Sequence, residues 1–173
     1  MGMEMGSVVV TLKNREQAEE FLKVFDRVLR NSQETYCNGY ESVEDLKEEI
    51  EYDEGNLLEM TFDIWGLFDD PSDNGMEDVV KEFVQLFPND DIDVMLYWSW
   101  DNCGDSATHT ITYLAQTKSL CVRERAYNSF FDDNNDDDDS DDDDWDEEDK
   151  EKTIRDDEYR YENGKFVFVT SHI

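Results

Sequence analysis

Residues 132–149 read DDNNDDDDSDDDDWDEED: fourteen carboxylates in eighteen positions, no lysine or arginine, and one tryptophan, Trp145. The chemistry open to such a segment is electrostatic. Asp136, Asp137, Asp138 and Asp139, then Asp141, Asp142, Asp143 and Asp144, then Asp146, Glu147, Glu148 and Asp149 repel one another. With almost no apolar surface to offset the entropy of ordering, 132–150 is expected to be a disordered, extended acidic loop. An extended chain advances ~3.3 Å per residue, and one DNA strand carries a charge per ~3.4 Å of axis, so an extended Asp run approximates the linear charge density of a single strand. A groove built for nucleic acid is a natural receptor for it, with Trp145 stacking on a partner aromatic or arginine in the place of a base. A specific calcium loop is not expected, because the sharp turn of an EF-hand needs a central glycine and this run has none.

A second cluster, Glu41, Glu44, Asp45, Glu48, Glu49, Glu51, Asp53 and Glu54, packs eight acids into fourteen positions. It is expected on a folded helix and its exit. A helix face that repels itself costs stability, and retaining that cost at an ordered site points to a selected negative surface. Halophilic adaptation would produce similar acidity over the whole surface, whereas residues 1–30 balance five acids with five bases. The net charge is −32, and residues 31–117 carry twenty-two acids against only Lys47 and Lys81. Such a field repels nucleic acid and anionic membranes and attracts basic proteins at salt-dependent rates. The expected partner is therefore a basic protein, with no direct nucleic-acid or membrane binding.

Enzyme chemistry finds little purchase. His109 falls inside an expected strand and His172 beside the last residue, and no GxSxG, HExxH, P-loop or GxGxxG pattern occurs. A Cys103–His109 thiol and base pair is disfavoured against an ordinary loop cysteine and strand histidine. Cys37, Cys103 and Cys121 leave one thiol unpaired in any intramolecular disulfide scheme and lack zinc-ligand spacing, so a reducing cytoplasmic setting, with no cofactor and no metal, is expected. The first residues, MGMEMGSVVVTL, have neither a basic n-region nor a long apolar stretch, consistent with a soluble, unexported chain.

The elements that must position these charges follow from periodicity. Ser7–Leu12 is β-branched and apolar and predicts a central strand. Asn14 with Gln17 opens a helix carrying Ala18, Phe21, Leu22, Phe25, Val28 and Leu29 at helical spacing. Residues 31–41 are expected as a loop, and Ser42 with Asp45 opens a short acidic helix with Val43, Leu46 and Ile50 inward. Leu58, Met60, Phe62 and Ile64 alternate with Glu59, Thr61 and Asp63, the pattern of a half-buried strand. A turn-rich stretch precedes a helix through Met76, Val79, Val80, Phe83, Val84 and Phe87, stopped by Pro88. Strands follow at 92–100 and 107–115 around a DNCGD turn, then at 120–127. Beyond the acidic run, Asn163-Gly164 between Tyr159–Tyr161 and Lys165–Thr170 signals a hairpin. Trp65, Trp98 and Trp100 are expected in sheet packing.

LLEMTFDIWG at 57–66, the helix ending in LFP at 86–88, and IDVMLYWSWDNCG at 92–104 with the strand after it carry a resemblance. Residues 57–116 are similar to the ferredoxin-like domain of YubB-type proteins of plasmids and phages. That resemblance implies a fold and a mobile-element setting but no activity, and the poly-Asp run and the N-terminal part depart from the pattern. The extreme acidity is also similar to that of phage proteins that imitate DNA to block host defence. The expected architecture is a single α+β domain over 1–173: a mostly antiparallel sheet, two or three helices on one face, a ferredoxin-like centre, and the acidic loop before a C-terminal β-hairpin. The expected function is non-enzymatic inhibition of a nucleic-acid-processing protein, of anti-restriction or anti-CRISPR type. An immunity or antitoxin protein capping a basic toxin, and an acidic chaperone for histone-like proteins, are the alternatives.

Overall fold

The structure, a computed structural model, describes residues 4–31, 42–65, 75–100, 106–127 and 151–173. Among these residues eight strands form one antiparallel sheet: β1 (Glu4–Leu12), β2 (Glu51–Glu54), β3 (Leu58–Trp65), β4 (Ile92–Trp100), β5 (Ser106–Leu114), β6 (Ser119–Tyr127), β7 (Glu151–Glu162) and β8 (Lys165–Ser171). Their order across the sheet is β2-β3-β1-β4-β5-β6-β7-β8. Three helices, α1 (Arg15–Asn31), α2 (Val43–Glu49) and α3 (Met76–Leu86), accompany it. None of the described helices is long and apolar enough to cross a membrane.

The α+β class and the antiparallel sheet follow the expectation, and the period of each segment explains why. Val8, Val10 and Leu12 are buried on one face of β1, and Leu58, Met60 and Phe62 on the same face of β3. Asn14 caps α1 by accepting a hydrogen bond from the Gln17 amide at 3.0 Å, and the Gln17 side chain accepts from the Lys13 amide at 3.0 Å. This is a variant of the reciprocal cap in which the third helical residue reaches back past the cap. Phe21 and Phe25 of α1, Phe62 of β3 and Phe83 of α3 then meet edge-on or stacked at centroid distances of 5.5–6.4 Å. All four rings are buried in one continuous core with β1, β3, β4, β5 and β6. The helices therefore cover a single face. On the other face Ser7, Val9 and Thr11 are half-buried, and Met95 and Tyr97 are exposed.

Two strands exceed the sequence expectation. β2 lies where only a helix exit was expected, and β7 begins eight residues before Tyr159. The first half of β7, EKTIRDD, has no apolar alternation, and charge pairing holds it. Arg155 hydrogen-bonds Glu77 of α3 at 2.8 and 3.3 Å, Asp157 at 2.7 Å and the Tyr159 hydroxyl at 3.0 Å, while Arg123 of β6 meets Asp156 at 3.2 Å. The final hairpin turns at Asn163 and Gly164, with φ of 52° and 77°, the positive values that a type I′ turn requires. Asn31, expected to open a loop, is the last residue of α1; the rest of that loop at 32–41, the turns at 66–74 and 101–105, and the tryptophan side chains lie outside the described residues.

Burial raises the pKa of Glu77, but hydrogen bonds from Arg155 and Lys81 outweigh it and hold the carboxyl below its usual range. Its contribution to stability is thus fully present above the unfolded-state pKa and is lost as pH falls through the lower folded value. Arg155→Ala should cost about 2 kcal/mol, because it removes two charge-assisted hydrogen bonds from a half-buried carboxylate and leaves it Lys81 alone. In urea titrations the stability gap between the parent and Glu77→Gln should be constant near neutral pH and close below roughly pH 4.5.

Candidate acidic interface

The folded acidic cluster is built from a helix that caps well and an edge strand that follows it directly. The Ser42 hydroxyl accepts from the Asp45 amide at 3.3 Å, and Glu44 and Asp45 occupy the first turn of α2, where the positive end of the helix dipole favours carboxylates. Leu46 is fully buried, and Val43 and Ile50 pack against the core. With the apolar stripe fixed inward, Glu44, Asp45, Glu48 and Glu49 point to solvent.

In β2 the side chains alternate. Tyr52 stands opposite Met60 on the helix side of the sheet, whereas Glu51 and Asp53 stand opposite Thr61 and Glu59 on the open side. The Arg15 guanidinium lies 3.6 Å from the Tyr52 ring centroid and is ion-paired with Glu54. Burial, then the nearby Glu19 carboxylate, pushes the Tyr52 hydroxyl pKa up. Glu51, Asp53 and Glu54 are exposed, as are Glu59 and Asp63 on the open side of β3.

Cations near the cluster are already committed. Lys47 pairs with Glu19 at 3.2 Å and Glu44 at 3.3 Å, and the Glu19 hydrogen bond is the main reason its ammonium is held above the usual value, against an opposing desolvation. Arg15 is held by Glu54. Asp45, Glu48, Glu49, Glu51, Asp53, Glu59 and Asp63 make no ion pair among the described residues. Glu59 and Asp63 were placed on a polar strand face by their alternation, but only the β2–β3 register brings Glu59 opposite Asp53. Glu41, Trp145 and all the acids of 132–149 lie outside the described residues.

Other places for chemistry are occupied by structural bonds. An open depression of about 450 Å³ lies among Thr11, Lys13, Asp90, Asp91, Asp93 and Tyr113. Asp90 accepts from the Gln17 side chain at 2.8 Å, Asp91 from the Ala115 amide at 2.8 Å and Asp93 from Thr112 at 2.5 Å. The Tyr113 hydroxyl donates to the Pro88 carbonyl at 2.8 Å, and burial pushes its pKa up. Burial, then Glu158 and Asp156, likewise raises the pKa of the free Cys121 thiol, which works against a nucleophilic thiolate. Cys103 lies outside the described residues, and His109 is buried on the helix side of β5. No group of metal-ligating side chains occurs among the described residues.

No family model, no curated protein and no solved structure matches the chain.

Like charges directly opposite on neighbouring strands are destabilising, so the Asp53–Glu59 pair makes a specific claim on stability. Asp53→Lys should raise the unfolding free energy by about 0.5 kcal/mol in low salt. The gain should shrink towards zero in about 1 M salt, where the screening length falls to ~3 Å. Urea titrations at the two salt concentrations measure it.

Proposed function

We propose that the chain is a non-enzymatic inhibitor that presents a nucleic-acid-like charge surface to the basic binding channel of a nucleic-acid-processing protein. One observation carries this reading. Asp53 and Glu59, then Glu51, then Asp63 step along the open side of β2 and β3, each uncompensated by a described cation. At ~3.3 Å per residue the three levels lie ~6.6 Å apart with two charges at the first, so four charges fall within ~13 Å, a linear density of the same order as the one charge per ~3.4 Å of a DNA strand. Glu48 and Glu49 add two exposed carboxylates on α2, the helix that leads directly into β2. The scaffold is a helix and two paired strands, so the spacing is held by backbone hydrogen bonds and not by side-chain choice.

The run at 132–149 extends the same chemistry: its fourteen acids can enter a groove and release its counterions as a phosphate backbone would. A soluble cytosolic setting suits a target that handles nucleic acid, and anti-restriction or anti-CRISPR action in a phage-infected cell is the form we favour. The finer reading of the fold agrees. The order β2-β3-β1-β4, with α1 between β1 and β2 and α3 between β3 and β4, supports a ferredoxin-like centre, and with it the resemblance to YubB-type proteins. Capping of a basic toxin, or chaperoning of histone-like proteins, would use the same acidic face. Toxin capping differs in that a nucleic acid would not compete unless the toxin itself bound one.

The test is capture on the immobilised chain followed by competition. Nucleic-acid-binding proteins should be retained from a host lysate, double-stranded DNA should displace them, and affinity should fall at least about tenfold between roughly 100 and 200 mM salt. The combined change Glu48→Gln, Glu49→Gln, Glu51→Gln and Asp53→Asn should weaken capture, as should replacing the acids of 136–149 by Ser and Asn. Recovery of no nucleic-acid-binding protein, or capture indifferent to both sets of changes, would end the proposal.

A further inference from the structure

The two edges of the sheet are unlike. β2 is a four-residue strand with Glu51, Asp53 and Glu54 exposed, which are two of the devices, shortness and charge, that keep a strand edge from pairing with another chain. β8 is the opposite edge, and no described strand covers its outer side. It runs for seven residues, KFVFVTS, with no charge after Lys165 and no proline. A bulge sets Val169 between the partners of Glu158 and Tyr159. This leaves three consecutive apolar side chains half exposed: Val167 at 49%, Phe168 at 55% and Val169 at 45%. The bulge alone does not shield them, and such an edge is a template for strand addition.

We infer that β8 pairs antiparallel with β8 of a second copy, joining two sheets edge to edge about a twofold axis at Phe168. Charge selects this occupant. Residues 42–65, which hold β2 and β3, carry nine acids against Lys47 alone, whereas 118–127 and 151–173, which hold β6, β7 and β8, carry seven lysines and arginines against six acids. Two chains of net charge −32 repel at long range, and among the described residues the β8 end is the approach that brings nearly neutral surfaces together. The strand is also self-complementary. A twofold at Phe168 brings Val167, Phe168 and Val169 of one copy against the same three residues of the other, and it keeps the two Lys165 ammoniums, at the far end of each strand, apart, so no like charges face each other. An isologous contact of this kind closes on itself as a dimer.

Sedimentation equilibrium of the whole chain tests it. The mass should rise with concentration from 20.4 kDa towards twice that value. The dimer should become more populated as salt is added, because screening removes repulsion. Val169→Lys should hold the chain at the monomer mass, whereas Asp53→Lys on the opposite edge should leave the dimer in place. A monomer at every concentration and salt, or a dimer unaffected by Val169→Lys, overturns the inference. Should Val169→Lys fail to fold, amide exchange of the parent decides instead. Amides of Val167–Thr170 should exchange more slowly at high protein concentration than at low, and exchange independent of concentration overturns the pairing.

Discussion

The closing of one sheet face by α1 and α3 is the interaction on which everything else depends. A chain of net charge −32 is pushed apart by its own field, and burial of apolar surface is the large term that opposes this. Phe21, Phe25, Phe62 and Phe83 interlock between the helices and the strands, each worth roughly 1.5–3 kcal/mol on burial. Because side chains alternate along a strand, using one face for the core commits every intervening residue to the other face. Glu59, Asp63 and Asp93 fall there for that reason, as do Glu51 and Asp53 through their pairing. The acidic surface is the geometric complement of the core.

Periodicity makes the elements of this core legible in the sequence. Met76, Val79, Val80, Phe83 and Val84 are all buried in α3, and Ile92, Val94 and Leu96 in β4, as spacing alone requires. β2 and the start of β7 were not legible because their stability is not local. EYDE has three acids in four residues, and it is a strand only because Tyr52 faces Met60 and lies under Arg15. Arg155 looks like one charge among many until Glu77, seventy-eight positions away, accepts its hydrogen bonds. The candidate site divides in the same way. Its helical carboxylates could be read from Ser42, Leu46 and Ile50, whereas the meeting of Asp53 with Glu59 is a property of register, which no short window contains.

Ion pairs then decide which carboxylates stay uncompensated. In the β6–β7 region the cations sit among the acids: Arg123 with Asp156, Arg155 with Asp157 and Glu77, Arg160 with Glu162. At the other end Lys47 and Arg15 are held by Glu19, Glu44 and Glu54, on the helix side of the sheet. The exposed ones, Arg160 with Glu162 and Arg15 with Glu54, add little to stability. The consequence of the pairs, among the described residues, is a gradient across the strand order, strongly negative at β2 and β3 and nearly balanced at β6 to β8.

That gradient constrains how any partner reaches the acidic end. A backbone edge flanked by Glu51, Asp53 and Glu54 resists the approach of another strand, since ordinary strands bring carboxylates or apolar groups that gain nothing there. Long cationic side chains meet no such obstacle, and arginine can engage two carboxylate oxygens at once. Among the described residues Leu57 is the large exposed apolar group beside the carboxylates, so a contact made through them draws its specificity and association rate from charge complementarity more than from buried area. Strand edge and acidic face are therefore one device: the charges that forbid β-pairing at β2 are the same charges that define what is allowed to bind.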